Sequence, residues 1–239
     1  MNVSVAMATY NGEKYLKEQL DSILCQLDFQ DEVIISDDGS TDETLNLLNE
    51  YKSDKRVQVI KNPRKGVVSN FENALKQCKN EVIFLSDQDD IWLPNKVQEV
   101  RKCFLTSGKD LVLHNALIFE DDEEDDEEDD ENVYHEFLIK NMRHGVVRNI
   151  LKSCYWGCCM AFKKNLLDCI LPFPTQVPAH DQWIGLVAEK KHQSFFFHHS
   201  LIKHRVHKHN VSKPLPLFNK INFRVEMFFS FFEMLKRSF

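Results

Sequence analysis

The sequence predicts an α/β fold in which a mostly parallel sheet is flanked by helices. Three observations carry that prediction. The first hundred residues switch repeatedly between short β-rich apolar runs and longer segments with helical spacing. The runs are apolar almost throughout, as strands covered on both faces must be. Polar clusters follow the runs directly, at the carboxyl ends of the strands, where open α/β sheets keep their ligand crevice.

The elements follow in order. VSVAMAT (3–9) is the first strand, and NGEKYLKEQLDSILCQL places Tyr15, Leu16, Leu20, Ile23, Leu24 and Leu27 at helical spacing. EVIISDD (32–38) is the second strand. Ser40 and Glu43 then form a capping-box pattern ahead of TDETLNLLNEYK. VQVIKN (57–62) is the third strand, and Ser69 with Glu72 repeats the capping-box pattern before NFENALKQCK. EVIFLSD (81–87) is the fourth, with Pro94 at the favoured early position of the helix NKVQEVRKCF. After residue 110 the rhythm changes. DLVLHNALIF (110–119) is a strand, WGCCMAFK (156–163) a strand leading into a helix, and HDQWIGLVAEKK (180–191) a helix with Asp181 in or just before its first turn. SFFFHHSLIKHRVH alternates weakly and reads as edge strands. The tail from 218 sets Ile221, Val225, Phe228, Phe232, Leu235 and Phe239 on one helical stripe.

At 239 residues, with 43% hydrophobic and 28% charged residues, the composition is that of a soluble globular protein with a sizeable core. The net charge of −7 misleads, because the run EDDEEDDEEDDE at 120–131 supplies twelve of the 37 acids and the remainder of the chain is mildly basic. Twelve contiguous carboxylates repel and bury nothing apolar, so 120–132 reads as a solvated loop. Seven cysteines, odd in number and scattered, with no basic n-region before the first strand, suit reduced thiols in a cytoplasmic compartment. CYWGCC (154–159) lacks zinc spacing and reads as small apolar filler.

Three polar clusters, Thr9, Asp37–Asp38 and Asp87–Asp90, thus go to one rim of the sheet. Asp87, Asp89 and Asp90 lie within four positions, and like charges so close repel unless water screens them or a cation neutralises them. Two carboxylates there suit Mg²⁺ or Mn²⁺, with a nucleotide diphosphate completing the shell. The alternative is a solvated acidic turn in which Asp90 caps the next helix. For Asp181 the alternative is an ordinary carboxylate in a first helical turn.

VSVAMATYNGEKYLKEQLDSIL, DEVIISDDGSTDET and EVIFLSDQDDIWLPNKV, in that order, resemble family 2 inverting glycosyltransferases with the Rossmann-like GT-A fold. Nearest in look are bacterial members that build capsule and O-antigen polysaccharides, many of them rhamnosyltransferases. The resemblance covers 2–105 strongly and 150–212 more loosely. It implies that Thr9 and Tyr10 line a nucleotide pocket and that Asp38 bonds the nucleobase, with Asp37 structural. It implies that Asp87 faces the ribose or the metal's water shell and that Asp89 ligates the metal. AHDQW (179–183) resembles the catalytic segment, which makes Asp181 the general base. RVHKHN (205–210) resembles the closing element, in which His207 reaches the metal or the diphosphate.

The resulting expectation is one domain over 1–217, with a donor-binding half (1–109) and an acceptor-binding half (110–217), followed by an amphipathic helix (218–239). Its function would be metal-dependent sugar transfer, with inversion, from a UDP- or dTDP-linked donor to a saccharide or lipid-linked saccharide. Trp156 and Trp183 would offer faces to the sugar, or would simply pack. A nucleotidyltransferase is an alternative, although MATYNGEKYL lacks a glycine- and lysine-rich triphosphate loop. A catalytically inactive nucleotide-sugar-binding module is another. Nothing points to nucleic acid. The tail, basic overall, fits peripheral contact with the inner face of the plasma membrane, docking on the protein's own core, or a dimer contact.

Overall fold

The computed structural model describes residues 1–121, 135–137, 142–208, 210 and 217–236. Most of the acidic run lies outside them, as does Phe239 of the tail stripe. The strands are β1 (Val3–Thr9), β2 (Glu32–Asp37), β3 (Val57–Lys61), β4 (Val82–Ser86), β5 (Ile91–Trp92), β6 (Leu111–Glu120), β7 (His135–Phe137), β8 (Met160–Lys163) and β9 (Ser194–Val206). The helices are α1 (Leu16–Leu24), α2 (Thr44–Glu50), α3 (Val67–Leu75), α4 (Lys96–Ser107), α5 (Val146–Leu151), α6 (Leu167–Ile170), α7 (His180–Lys190) and α8 (Leu217–Lys236).

All nine strands join one sheet in the order β3-β2-β1-β4-β8-β6-β9-β5, with β7 pairing β6. β3, β2, β1 and β4 run parallel. β8 is antiparallel to both β4 and β6, so β6 and its parallel neighbour β9 point the same way as β1. That arithmetic of directions brings the ends of β1, β2, β4 and β9 to one rim. Every residue of β1 and β4 is buried, as a strand covered on both faces requires. α3 packs against β1 and β2, and α4 against β6 and β9.

Three local expectations are corrected. Helix α2 starts at Thr44, and the Ser40 hydroxyl donates to Asp37 Oδ2 at 2.5 Å rather than capping the helix. Helix α3 starts at Val67 behind Gly66, whose φ of +106° suits glycine alone. Ser69 therefore lies inside the first turn, where its hydroxyl donates back to the Gly66 carbonyl at 2.8 Å. β9 is an edge strand over part of its length only. It lies between β6 and β5, which covers it at Ile202 and Lys203, and register shifts near His114 and Asn115 let its thirteen residues follow β6.

The tail is a helix, as its periodicity predicts, but it is seated the other way round from a helix buried by its apolar stripe. Met227, Ser230 and Met234 are buried, while Ile221, Val225, Phe228, Phe232 and Leu235 are exposed. α8 rests on α5 and α7 through this face, with Phe223 and Phe231 partly buried beside it. No helix among the described residues is long and apolar enough to cross a membrane.

Candidate active site

The rim where β1, β2, β4 and β9 end collects the polar clusters. Asp37 is consumed by its own turn. Its Oδ1 accepts from the Gly39 and Ser40 amides, both at 2.9 Å, and its Oδ2 accepts from the Thr9 hydroxyl at 3.2 Å. Thr9 is accordingly buried, with its side chain turned toward Asp37. Asp38 is half-buried and reaches across to the start of α3, where Asn62 Nδ2 donates to it at 2.7 Å and the Gly66 amide at 2.9 Å. The Lys65 ammonium donates to the Asp38 carbonyl and lies 5.6 Å from the centre of the Tyr10 ring. Tyr10 is half exposed. A flat aromatic face, a carboxylate and a lysine therefore share one wall.

Gln88, between the acids, was not singled out by the sequence. Its side-chain amide accepts from the Tyr10 amide at 2.8 Å and donates to the Tyr10 carbonyl at 3.0 Å. It ties the exit of β4 to the exit of β1, and nothing in the spacing of DQDD announces it.

The carboxylates beside it are each met from the end of β9. His207 Nε2 lies 2.9 Å from Asp89 Oδ2, and His204 Nδ1 lies 2.7 Å from Asp90 Oδ1. Asp90 also accepts from the Arg205 amide at 3.2 Å, so it does not cap α4. Between the two histidines, Arg205 lies 4.6 Å from the rings of both Tyr15 and Phe119 and donates to the Asp89 carbonyl at 3.1 Å. Burial and the charges of Asp89 and Asp90 push the Asp87 carboxyl well above the usual carboxylate range. Asp89 is raised by burial and by Asp90, with His207 acting against both. Burial opposes charge on His204, but Asp90 overrides it and pushes the imidazole up to about 12.

This donor set of carboxylate oxygens and imidazole nitrogen suits Mg²⁺ or Mn²⁺. The fit has an independent sign. Asp90 Oδ2 is buried and has no hydrogen-bond partner among the described residues, an arrangement that costs energy unless a cation stands nearby. A second grouping, Asp90, Cys158 and His204, has ligand atoms within 4.8 Å of one another, with His204 Nδ1 held by Asp90 Oδ1. Lys96 lies fully buried beneath, donating to the Cys158 carbonyl at 2.9 Å and lying 4.2 Å from the centre of the Trp92 ring. Burial pushes its ammonium down to about 8. The sequence offers no signal for it, since a lysine on an amphipathic helix reads as solvated.

Asp181 sits in the first turn of α7, half-buried, and forms no salt bridge among the described residues. Burial pushes its carboxyl up to about 6, against hydrogen bonds from the Gln182 and Gly157 amides. Its charge reaches Asp87, so the two acids share one field. Its neighbour His180 stacks on Phe71 with ring centres 3.9 Å apart, and burial pushes that imidazole down to about 3, which keeps it neutral. Trp156, half-buried, lies edge-on to His204 at 5.4 Å. Trp183 offers no face to a sugar. It is fully buried and donates to the Ile170 carbonyl at 3.0 Å, because residue 183 falls on the inner side of α7.

The model of the family described as glycosyl transferase family 2 matches residues 4–171. The chain is 35% identical over 120 residues to the dTDP-rhamnosyl transferase RfbG of Shigella flexneri, covering 47% of this chain and 42% of that protein. It is 34% identical over 151 residues to the UDP-Glc:alpha-D-GlcNAc-diphosphoundecaprenol beta-1,3-glucosyltransferase WfgD of Escherichia coli, covering 62% of this chain and 59% of that one. The chain thus spans only part of these curated relatives. In fold it is similar to S. aureus TarS 1-349 in complex with UDP-GlcNAc, with a TM-score of 0.74, 21% identity, and coverage of 100% of this chain and 68% of that one. It is also similar to the mannosyltransferase PcManGT of Pyrobaculum calidifontis in complex with GDP-Man and Mn2+, with a TM-score of 0.66, 18% identity, and coverage of 100% and 65%. At such identities these two structures speak for a shared GT-A fold.

Proposed function

The chain belongs to glycosyl transferase family 2, and on that premise we propose that it moves a sugar, with inversion, from a nucleotide diphosphate to a saccharide or lipid-linked saccharide in surface-polysaccharide synthesis. One observation supports this most: carboxylates of two kinds stand at one rim, a cluster met by histidines and a lone acid raised to about 6. Residues 1–109 form the donor half and 110–217 the acceptor half, followed by the tail from 218, the described part of which belongs to helix α8. Tyr10 and Asp38 hold the nucleoside, with Thr9 bracing the wall behind them. Asp89 and His207 hold Mg²⁺ or Mn²⁺, and Asp87 faces the ribose or the ion's water. When bound, the ion supplies charge stabilisation to the departing diphosphate.

Asp181 is the general base. A carboxylate raised to about 6 is still ionised at neutral pH, yet holds a proton better than an ordinary aspartate. It takes the proton of the acceptor hydroxyl as the oxygen attacks the anomeric carbon from the face opposite the leaving group. One such displacement inverts the centre. Trp156, beside the metal-side histidines, borders the acceptor.

The relatives fix the choices to test. RfbG is named for dTDP-rhamnose transfer, and WfgD for a UDP-glucose donor and a diphosphoundecaprenol-linked acceptor. A UDP- or dTDP-sugar and a lipid-carried acceptor are therefore the first candidates here, and a lipid-carried acceptor puts the work at the cytoplasmic face of a membrane. Thermal unfolding with UDP-, dTDP- and GDP-sugars, each with and without Mn²⁺, tests the donor reading. Stabilisation by one nucleotide class that requires the metal is expected, and indifference to every nucleotide would overturn it.

A further inference from the structure

The outward face of α8 is an apolar feature the active site leaves unused. Ile221, Val225, Phe228, Phe229, Phe232 and Leu235 are each 46–60% exposed, while the helix is seated by Met227, Ser230 and Met234. An amphipathic helix normally buries its richest face. Here Met227 and Met234, with Phe223 and Phe231 partly buried beside them, make the seat, and Phe228, Phe229 and Phe232 are left in solvent. α5, packed beside α8, continues the pattern with Val147 and Leu151, 67% and 58% exposed. Exposed aromatic and aliphatic groups gathered on two adjacent helices mark an interaction surface.

Its charge selects the partner. Residues 142–153 contain Arg143, Arg148 and Lys152 and no acid. Arg148 on α5 and Lys152 just after it are exposed, and Arg224 and Lys236 are exposed on α8, against Glu226 and Glu233. A symmetric contact that set α5 against α5 would bring bases toward bases. An anionic bilayer meets both features at once, taking the phenylalanines at the acyl boundary and the basic side chains at the headgroups.

We propose that α5 and α8 together form a membrane-docking face that seats this enzyme on anionic lipid. This deepens the reading of a lipid-carried acceptor, on which it rests for its purpose, but its physical basis is the exposed face alone.

The test is co-sedimentation of the full chain with vesicles of phosphatidylcholine, with and without phosphatidylglycerol, beside F228E/F232E and R148E/K152E. All four substituted side chains are exposed and outside the active site, and unchanged circular dichroism will report an intact fold. Binding to the anionic vesicles that weakens in high salt is expected, falling more than about tenfold in F228E/F232E and severalfold in R148E/K152E. Equal pelleting of wild type and both variants, or no pelleting at all, overturns the proposal. So does a dimer that F228E/F232E converts to a monomer, because a second copy would then own the face. Metal-dependent stabilisation by nucleotide sugars should be the same in all three proteins, so failure of lipid binding and failure of the donor reading are separable.

Discussion

Asp89 and Asp181 stand at the same rim, one at the end of a strand and the other in the first turn of a helix. Asp89 has His207 at 2.9 Å, Asp90 beside it with a histidine of its own, and Arg205 on its carbonyl. Asp181 has backbone amides and a neutral imidazole next door. Polar partners around a crowded acid cluster hold it ready for a cation. Burial without a cation raises a single acid's affinity for a proton. Two carboxylates of the same residue type are thus fitted to different work by their surroundings.

The sharpest break is to neutralise each in turn and separate binding from turnover. Asp181→Asn should keep metal-dependent nucleotide binding by calorimetry and lose about 10²- to 10⁴-fold in kcat. Asp89→Ala should lose about 10³-fold in turnover, together with the metal dependence of nucleotide binding. His207→Ala should weaken Mn²⁺ affinity by about 10- to 100-fold. If Asp181→Asn abolished donor binding while Asp89→Ala left it intact, the division of labour would be reversed.

The pH profile is the next effect in size. In its proposed role as base, Asp181 would act only when ionised, so kcat at saturating Mn²⁺ should be flat above neutrality. Below about 6 it should fall about tenfold per unit, as the carboxyl takes up its proton. An ordinary aspartate would hold the rate to near pH 4. A profile level down to pH 4.5 would therefore remove the base role from Asp181.

How much of this was legible follows from what sequence periodicity measures. The parallel half could be read because its strands are apolar runs and its helices amphipathic, and strand ends then place Asp38 and Asp89 without any contact being known, whereas Asp181, in the first turn of α7, was reached through the resemblance of AHDQW. Gln88 and Lys96 could not be read, because their roles depend on which backbone lies opposite them. The tail shows the same limit: Phe228 and Phe232 announce an apolar face, and only the packing of Met227 and Met234 says which way it turns. Trp183 could be read as a sugar platform or as packing, because helical spacing alone does not say which side of α7 meets the core.

The smallest expected effect bears most closely on how Asp181 is held. The Gly157 amide donates to it, and a Cβ at residue 157 would stand 3.0 Å from His180 Nε2 and 3.6 Å from Asp181 Cβ. His180 has no room to yield, since its ring is stacked on Phe71. Gly157→Ala must therefore shift the 154–159 loop by a few tenths of an ångström, lengthening the amide's bond to the carboxylate. Loss of a donor to an ionised acid raises its pKa, so the acid limb of kcat should move to higher pH. At neutral pH the rate should fall by about three- to tenfold, with donor affinity and metal dependence unchanged. A loss of kcat with no movement of the limb would mean that the glycine serves the loop's fold rather than the base.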